Sequence, residues 1–386
     1  MDLSKCNHQE ERMELLSTLV PAFKERAAKH DEEGSFPHEN FRELQNANYP
    51  GLTVPKKYGG QGLSLTDFLE LQEIIAQGDG STALSIGWHM GIMMQLGENQ
   101  TWDEETYTAV ARDVVNNGAL LNNAASEPAT GSPTRGGRPE TTATKTEDGW
   151  VITGRKTFTT LAPVLDYFVV SAGIENSDKV GNFLVHRSLR GVSIDYTWNT
   201  LGMRATGSDD LVLDQVQLKD EDYVQDITPG QKGAAGWLLH IPACYLGIAE
   251  AAINHSAEFA NHYSPNSIEG TIADLPNIKQ KIGEAELLRQ RNRHFLYAVA
   301  KKWDRSDSET RQHMKTELGA VKYSVVNDAL TMVDLSMRVE GAKSLQADNP
   351  LSRYYRDIRA GLHNPPMDDM TIMQLAGEVF ARNKSE

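Results

Sequence analysis

From about residue 120 to residue 228 the chain is composed of short β-rich pieces, and on both sides of that stretch it is composed of helical ones. Helix, then strand, then helix is an unusual order. Within the middle stretch, segments 142–146 and 150–153 flank Asp148-Gly149, a hairpin signal, because glycine tolerates the positive φ of a tight turn. Segments 167–172, 181–186, 192–196 and 210–218 continue the series, rich in β-branched and aromatic residues and bounded by Gly, Asn and Asp. They predict a small antiparallel barrel or sandwich.

The flanks follow the helical period. Leu15, Leu16, Leu19, Val20 and Phe23 share one face, and Phe68, Leu69, Leu71, Ile74 and Ile75 repeat the pattern after a cap at Ser64 or Thr66. Beyond Pro229-Gly230, Leu318, Val321, Val325, Ala329 and Met332 form a stripe suited to a bundle core. At 386 residues two or three packed units are expected. The boundaries read as a helical domain over 1–118, a β domain over 119–228 and a four-helix bundle over 229–386, an α+β multidomain chain.

A net charge of -15 disfavours general attraction to nucleic acid or anionic membranes. Cys6 and Cys244 are the only cysteines, far apart, so neither a disulfide framework nor a CxxC motif is present. The eleven histidines show no HExxH spacing, and no metal site is expected. The polar first ten residues and the lack of a long uninterrupted apolar run predict a cytoplasmic protein with no membrane segment. Pro55-Lys56-Lys57-Tyr58-Gly59-Gly60-Gln61-Gly62 lacks the spacing of a phosphate loop and reads as a turn.

The functional signal lies between Asn122 and Thr160. A loop of small and hydroxyl residues, Ala125-Ser126-Glu127-Pro128-Ala129-Thr130-Gly131-Ser132, is joined to a hairpin ending Thr153-Gly154-Arg155-Lys156-Thr157-Phe158-Thr159-Thr160. Uncharged donors beside an aromatic suit a flavin, which becomes electron-rich around N1 and O2 when reduced. Glu127, before Pro in such a loop, is expected to accept backbone amides rather than to catalyse.

With Val54–Gly62, Ser126–Ser132, Thr153–Thr160 and Leu201-Gly202-Met203-Arg204 in that order, the chain resembles the acyl-CoA dehydrogenase superfamily over nearly its whole length. The resemblance implies FAD between the β domain and the bundle, an acyl-CoA thioester against it, an external acceptor such as an electron-transfer flavoprotein, and a homotetramer. It implies that Asn123, Ser126, Phe158 and Thr160 contact the cofactor, with Ser126 at the pyrimidine edge, Phe158 on the ring and Thr160 near N5. Gly341 would lie against a neighbouring subunit's cofactor. Ser132 would approach the phosphopantetheine chain, and Arg204 would either touch substrate or brace the barrel through Asp209 or Asp210.

The sequence also departs from the pattern. The usual glutamate base should follow Arg356-Asp357, themselves read as a structural ion pair, but Pro365 stands in its place. The other position used by relatives, in Gly236-Trp237-Leu238-Leu239-His240, holds no carboxylate. His363, in a Leu-His-Asn-Pro setting similar to the flavin-dependent monooxygenases of the same fold, is the candidate replacement, with His89 beside it as a second candidate. Pro133 replaces an expected aspartate, and 262–270 lacks an Arg-x-x-Phe-Gly segment, which admits FMN as an alternative to FAD. The leading expectation is α,β-desaturation of an acyl-CoA. The alternatives are a two-component monooxygenase and a catalytically silent acyl-CoA- or flavin-binding protein, the last turning on whether Glu340 or Glu98 reaches the flavin.

Overall fold

A computed structural model describes residues 1–130, 136–230 and 233–383. Six helices open the chain: α1 (Gln9–Ser17), α2 (Val20–Glu33), α3 (His38–Asn46), α4 (Leu65–Gly78), α5 (Gly80–Asn99) and α6 (Glu104–Asn117). Of the two proposed caps, Ser64 closes the start of α4, its hydroxyl accepting the Asp67 N–H at 3.1 Å. Asp79 then turns α4 directly into α5 by accepting the Ser81 and Thr82 N–H groups, both at 3.1 Å. The glycine-rich turn is a tight reversal, because a Cβ on Gly60 would lie 2.1 Å from the Val54 carbonyl oxygen.

Eight strands follow: β1 (Leu121–Ala124), β2 (Thr142–Thr146), β3 (Gly149–Lys156), β4 (Tyr167–Ile174), β5 (Val180–His186), β6 (Val192–Asp195), β7 (Asp210–Leu218) and β8 (Tyr223–Ile227). They form one sheet in the order β6-β7-β3-β2-β4-β5-β8, with β1 beside β4. The expected hairpin is β2–β3, with Thr146 opposite Gly149. Most pairs are antiparallel as expected, but β1 and β2 both run parallel to β4, so the sheet is mixed. The hairpin turn fixes only β2 against β3; the sense of the other pairs is set by crossing connections that carry no turn signal.

The bundle comprises α7 (His240–His262), α8 (Pro276–Arg305), the short α9 (Ser308–Gln312), α10 (Lys315–Glu340), α11 (Pro350–Ile358) and α12 (Asp368–Arg382). The stripe predicted on α10 is buried. Helix α7 and its lead-in, Gly236–His262, are apolar and long enough to cross a membrane by length and composition, but 89% of their most apolar 18-residue window is packed inside the protein. Asp304 near the end of α8 accepts Leu65 and Thr66 N–H groups at 2.8 and 3.0 Å, so the bundle caps α4 of the first helical unit. The helical units share one core with the sheet.

Candidate functional site

The loop after β1 is rooted by an ion pair. Glu127 and Lys156 are buried to 1% and 0% side-chain exposure and meet at 2.5 Å. Glu127 also accepts the Glu140 and Thr141 N–H groups at 2.6 and 3.0 Å, the turn-fixing role the sequence predicts. Burial alone would raise its carboxyl, but the bonds from Lys156 and Thr141 outweigh this and hold it below the usual range. A carboxylate so engaged has no lone pair left for chemistry. Breaking such a pair costs about 3–5 kcal/mol, because one charge stays buried and unpaired.

From this root two loops interlock. Residues 157–162 bind residues 206–209 through Thr159 N–H to Asp209 O at 3.1 Å, Leu161 N–H to Thr206 O at 3.2 Å and Ala162 N–H to Gly207 O at 3.0 Å. On the other side, Thr157 N–H donates to Ser126 O at 2.9 Å, and Asn122 Nδ2 donates to Thr160 O at 2.9 Å. A hydroxyl chain then runs from Thr160 Oγ1 to Ser208 Oγ (2.9 Å), to Thr206 Oγ1 (2.8 Å) and to the Met203 carbonyl (3.1 Å). Phe158, Leu161 and Met203 all take left-handed φ values of 55°, 70° and 53°. For residues with a side chain that conformation costs roughly 1–2 kcal/mol each, a strain maintained by the cross-bonds.

Phe158 is 66% exposed although large and apolar. Its ring stands edge-on to Trp198, at 5.7 Å and 80°, while Trp198 Nε1 donates to Met203 O at 2.9 Å. An exposed aromatic platform held in a strained backbone, with the Thr160 and Ser208 hydroxyls joined two residues along and Asn123 exposed next to the Asn122 that bonds Thr160, fits a flat, polar-edged ring system such as a flavin. Ser126 reaches this region through its backbone pairing with Thr157. Ser132, together with Pro133, lies outside the described residues.

The C-terminal candidates fall differently. His363 ends the turn Arg359–His363 that follows α11 and is exposed. Its neighbour Asn364 is tied to α7, because the buried Tyr245 hydroxyl donates to Asn364 Oδ1 at 2.6 Å. His89 is not poised for catalysis. It is fully buried, its Nε2 faces Pro50 O at 3.2 Å, and its Nδ1 accepts the Leu121 N–H at 3.0 Å. Burial pulls it down to about 4, so it is a neutral brace between α5 and β1.

Arg204 does not brace the barrel through Asp209 or Asp210. Its guanidinium donates to the Asp31 carbonyl at 2.6 Å and to Thr200 O at 2.9 Å, while Asp209 accepts the Trp198 N–H and Asp210 pairs with Arg155. Nor do Arg356 and Asp357 pair with each other, since consecutive helical residues point about 100° apart. Arg356 grips Asp31 on α2 (Nη1 to Oδ1, 2.8 Å), whereas Asp357 turns inward and accepts the Met203 N–H at 2.6 Å. Gly341 ends α10 with φ 63°, and a Cβ on it would meet nothing within 4 Å; it borders an open groove of about 850 Å³ lined by Arg338, Ser344 and Tyr355. Glu340 accepts Asn349 Nδ2 at 2.7 Å, with His255 Nε2 lying 3.2 Å from its other oxygen, and Glu98 is held by Arg311 (3.1 Å).

Sequence reasoning missed Trp198, Asp357 and the cation Lys156. The first two are brought to the site by tertiary contacts alone. Lys156 lies inside the Thr153–Thr160 motif as the last residue of β3, and nothing in the sequence marks that position as buried.

This fold, with a strained aromatic and hydroxyl face between sheet and bundle, matches a known class. Three family models fit the chain in order: acyl-CoA dehydrogenase N-terminal domain over residues 8–101, middle domain over 122–216 and C-terminal domain over 239–364. The chain belongs to the acyl-CoA dehydrogenase family of flavoprotein oxidoreductases. It is 50% identical to YdbM of Bacillus subtilis (strain 168), itself assigned only provisionally as an acyl-CoA dehydrogenase, across 97% of this chain and 98% of that one. It is 27% identical to L-evernosamine nitrososynthase of Micromonospora sp. (strain ATCC 39149), across 90% and 85%. Solved structures of the same fold include butyryl-CoA dehydrogenase from Megasphaera elsdenii, with TM-score 0.83, 18% identity and coverage of 98% and 100%. Another is the dibenzothiophene monooxygenase TdsC from Paenibacillus sp. A11-2 with FMN and indole, with TM-score 0.84, 22% identity and coverage of 96% of each chain.

Proposed function

We propose that this protein is a flavin-dependent monooxygenase-type member of its family, supplied with reduced flavin from outside, in which His363 handles a proton beside the cofactor. One observation carries the reading. Where a dehydrogenase needs a carboxylate to lift a thioester α-proton, the segment after α11 has Pro365, and the titratable group it exposes is the His363 imidazole. Glu127, Glu340 and Glu98 are each engaged by a partner of their own.

Bound flavin, once reduced, would supply two electrons to dioxygen, so that one oxygen atom enters the substrate and the other leaves as water. That balance consumes two protons. The His363 imidazole, which can carry a proton on one ring nitrogen and accept one on the other, can hold and deliver one of them. Phe158 would stack on the ring, Thr160 with Ser208 would bond its edge, and Asn123 and Ser126 would orient its polar rim. Both the nitrososynthase and TdsC, whose structure carries FMN, support this branch, and with the absent Arg-x-x-Phe-Gly segment they favour FMN over FAD.

A second reading, desaturation of an acyl-CoA with FAD, an electron-transfer flavoprotein and a homotetramer, is favoured by the provisional assignment of YdbM. Anaerobic titration with an acyl-CoA panel separates the two. Under the oxygenase reading no acyl-CoA bleaches the bound flavin, and reduced flavin drives substrate-dependent oxygen uptake. His363→Gln should then lower oxygenated product by about 10²–10³-fold. Bleaching by an acyl-CoA, or full oxygen-dependent turnover in H363Q, would overturn the oxygenase reading.

A further inference from the structure

We infer that Asp357, a residue of the bundle, is the positioning residue for the cofactor face on the sheet: by accepting the Met203 N–H it locks the loop 198–209, and through it the Phe158 ring and the Thr160 hydroxyl. The inference rests on the flavin reading for what the face binds, but not for the coupling itself.

The chain of contacts is continuous. Asp357 Oδ1 accepts the Met203 N–H at 2.6 Å, at a residue whose backbone is left-handed. The Met203 carbonyl accepts the Thr206 N–H at 3.3 Å and, in turn, two side-chain donors. One is Trp198 Nε1, whose ring meets Phe158 edge-on. The other is Thr206 Oγ1, which leads through Ser208 to Thr160. Both features of the face therefore hang on one peptide unit, and Asp357 holds the other side of that residue.

The approach is close enough to require special residues. A Cβ on Gly202 would lie 2.2 Å from the Arg356 carbonyl oxygen, so the loop sits directly on the last turn of α11. Met203 is itself buried, with its sulfur accepting from Ser81 Oγ on α5 at 3.8 Å. A loop seated this tightly transmits a displacement instead of absorbing it.

Asp357 is an expensive choice for a mere filler. It is buried among Arg353 of its own helix, Asp31 of α2, Asp79 between α4 and α5, and Cys244 and Tyr245 of α7, while the adjacent Arg356 turns away to Asp31. Burial, only partly offset by the Met203 N–H and Arg353, pushes it up to about 7. Either protonation state leaves an acceptor oxygen for Met203, so the acceptor and not the charge is the feature that matters.

Asp357→Asn keeps that acceptor and Asp357→Ala removes it. Two readouts apply: hydrogen exchange of segments 157–162 and 198–209 in flavin-free protein, and the dissociation constant and midpoint potential of bound flavin. D357A should speed exchange in both segments, weaken flavin binding by about tenfold, as loss of one hydrogen bond at the upper end of the usual range would, and shift the potential. D357N should restore all three. If D357A does not fold, Thr206→Val cuts the hydroxyl chain midway and should speed exchange at 157–162. Unchanged exchange at 157–162 in the folded variant, or equal damage in D357N and D357A, would overturn the inference. A wild-type protein that binds no flavin sinks the functional reading, while the exchange experiment still decides the coupling.

Discussion

The interlocked loops of the β domain and the α5–α7 helix interface are both densely packed, and they are held by opposite means. The loops are specified by directional bonds: four hydrogen bonds join 157–162 to 206–209, and three residues with side chains take left-handed backbones in these loops. The helices are specified by shape. Trp88, Trp237 and His240 pack as a triad, with Trp88 edge-on to Trp237 at 5.6 Å and to His240 at 5.1 Å, and with Trp237 and His240 stacked at 5.8 Å. Gly87 and Gly91 make room, since a Cβ at either would come within 2.3 Å of His240 or Trp237. Among the described residues neither His240 ring nitrogen has a hydrogen-bond partner. Directional bonds fix the angle of a ring or hydroxyl, as a cofactor face needs; shape fixes volume, as a core needs.

If that contrast holds, damage to the helix interface should be read in stability and damage to the loops in cofactor binding. The largest effect concerns pH. Burial lowers His240 to about 3 and His89 to about 4, against about 6.5 in the unfolded chain. As pH falls the unfolded chain therefore binds protons first, so the stability present above pH 6.5 is lost between 6.5 and about 4, on the order of 3 kcal/mol per histidine. His240→Phe should flatten that fall in denaturant titrations at stepped pH. An unchanged slope would mean that shape does not hold His240 neutral. Asp357 works in the opposite sense, since its folded value of about 7 makes its contribution disappear as pH rises through neutrality.

Gly91→Ala comes next. The added methyl would press on the Trp237 ring and should cost about 1–3 kcal/mol in thermal or denaturant unfolding, with flavin affinity unaltered. A change confined to flavin binding would contradict the contrast. The smallest effect is expected for Thr160→Val, which keeps shape and removes the bond to Ser208. It should weaken flavin binding by about 1 kcal/mol, roughly fivefold by equilibrium titration, and leave the unfolding midpoint near wild type.

What the sequence made legible follows the same division. Features encoded by period or local turn chemistry were readable: the α10 stripe, the β2–β3 hairpin, the Ser64 cap and the turn-fixing task of Glu127. Features that depend on which distant groups meet were not. Arg356, expected to pair with its neighbour, instead reaches α2, 325 positions away in sequence. The family resemblance makes His89 a candidate through the helix it stands on, yet its fate is decided by Pro50 and Leu121, two backbone groups that no side-chain pattern reveals. The parallel pairing of β1 and β2 with β4 escaped for the same reason.

The Glu127–Lys156 pair has a consequence for diversification. Because the Glu140 and Thr141 N–H groups end on the same buried carboxylate that Lys156 holds, one side chain fixes both the loop after β1 and the entry to β2. In engineering terms Glu127 is a clasp, so a design that alters this part of the chain has to keep the four positions that meet there, Glu127, Glu140, Thr141 and Lys156.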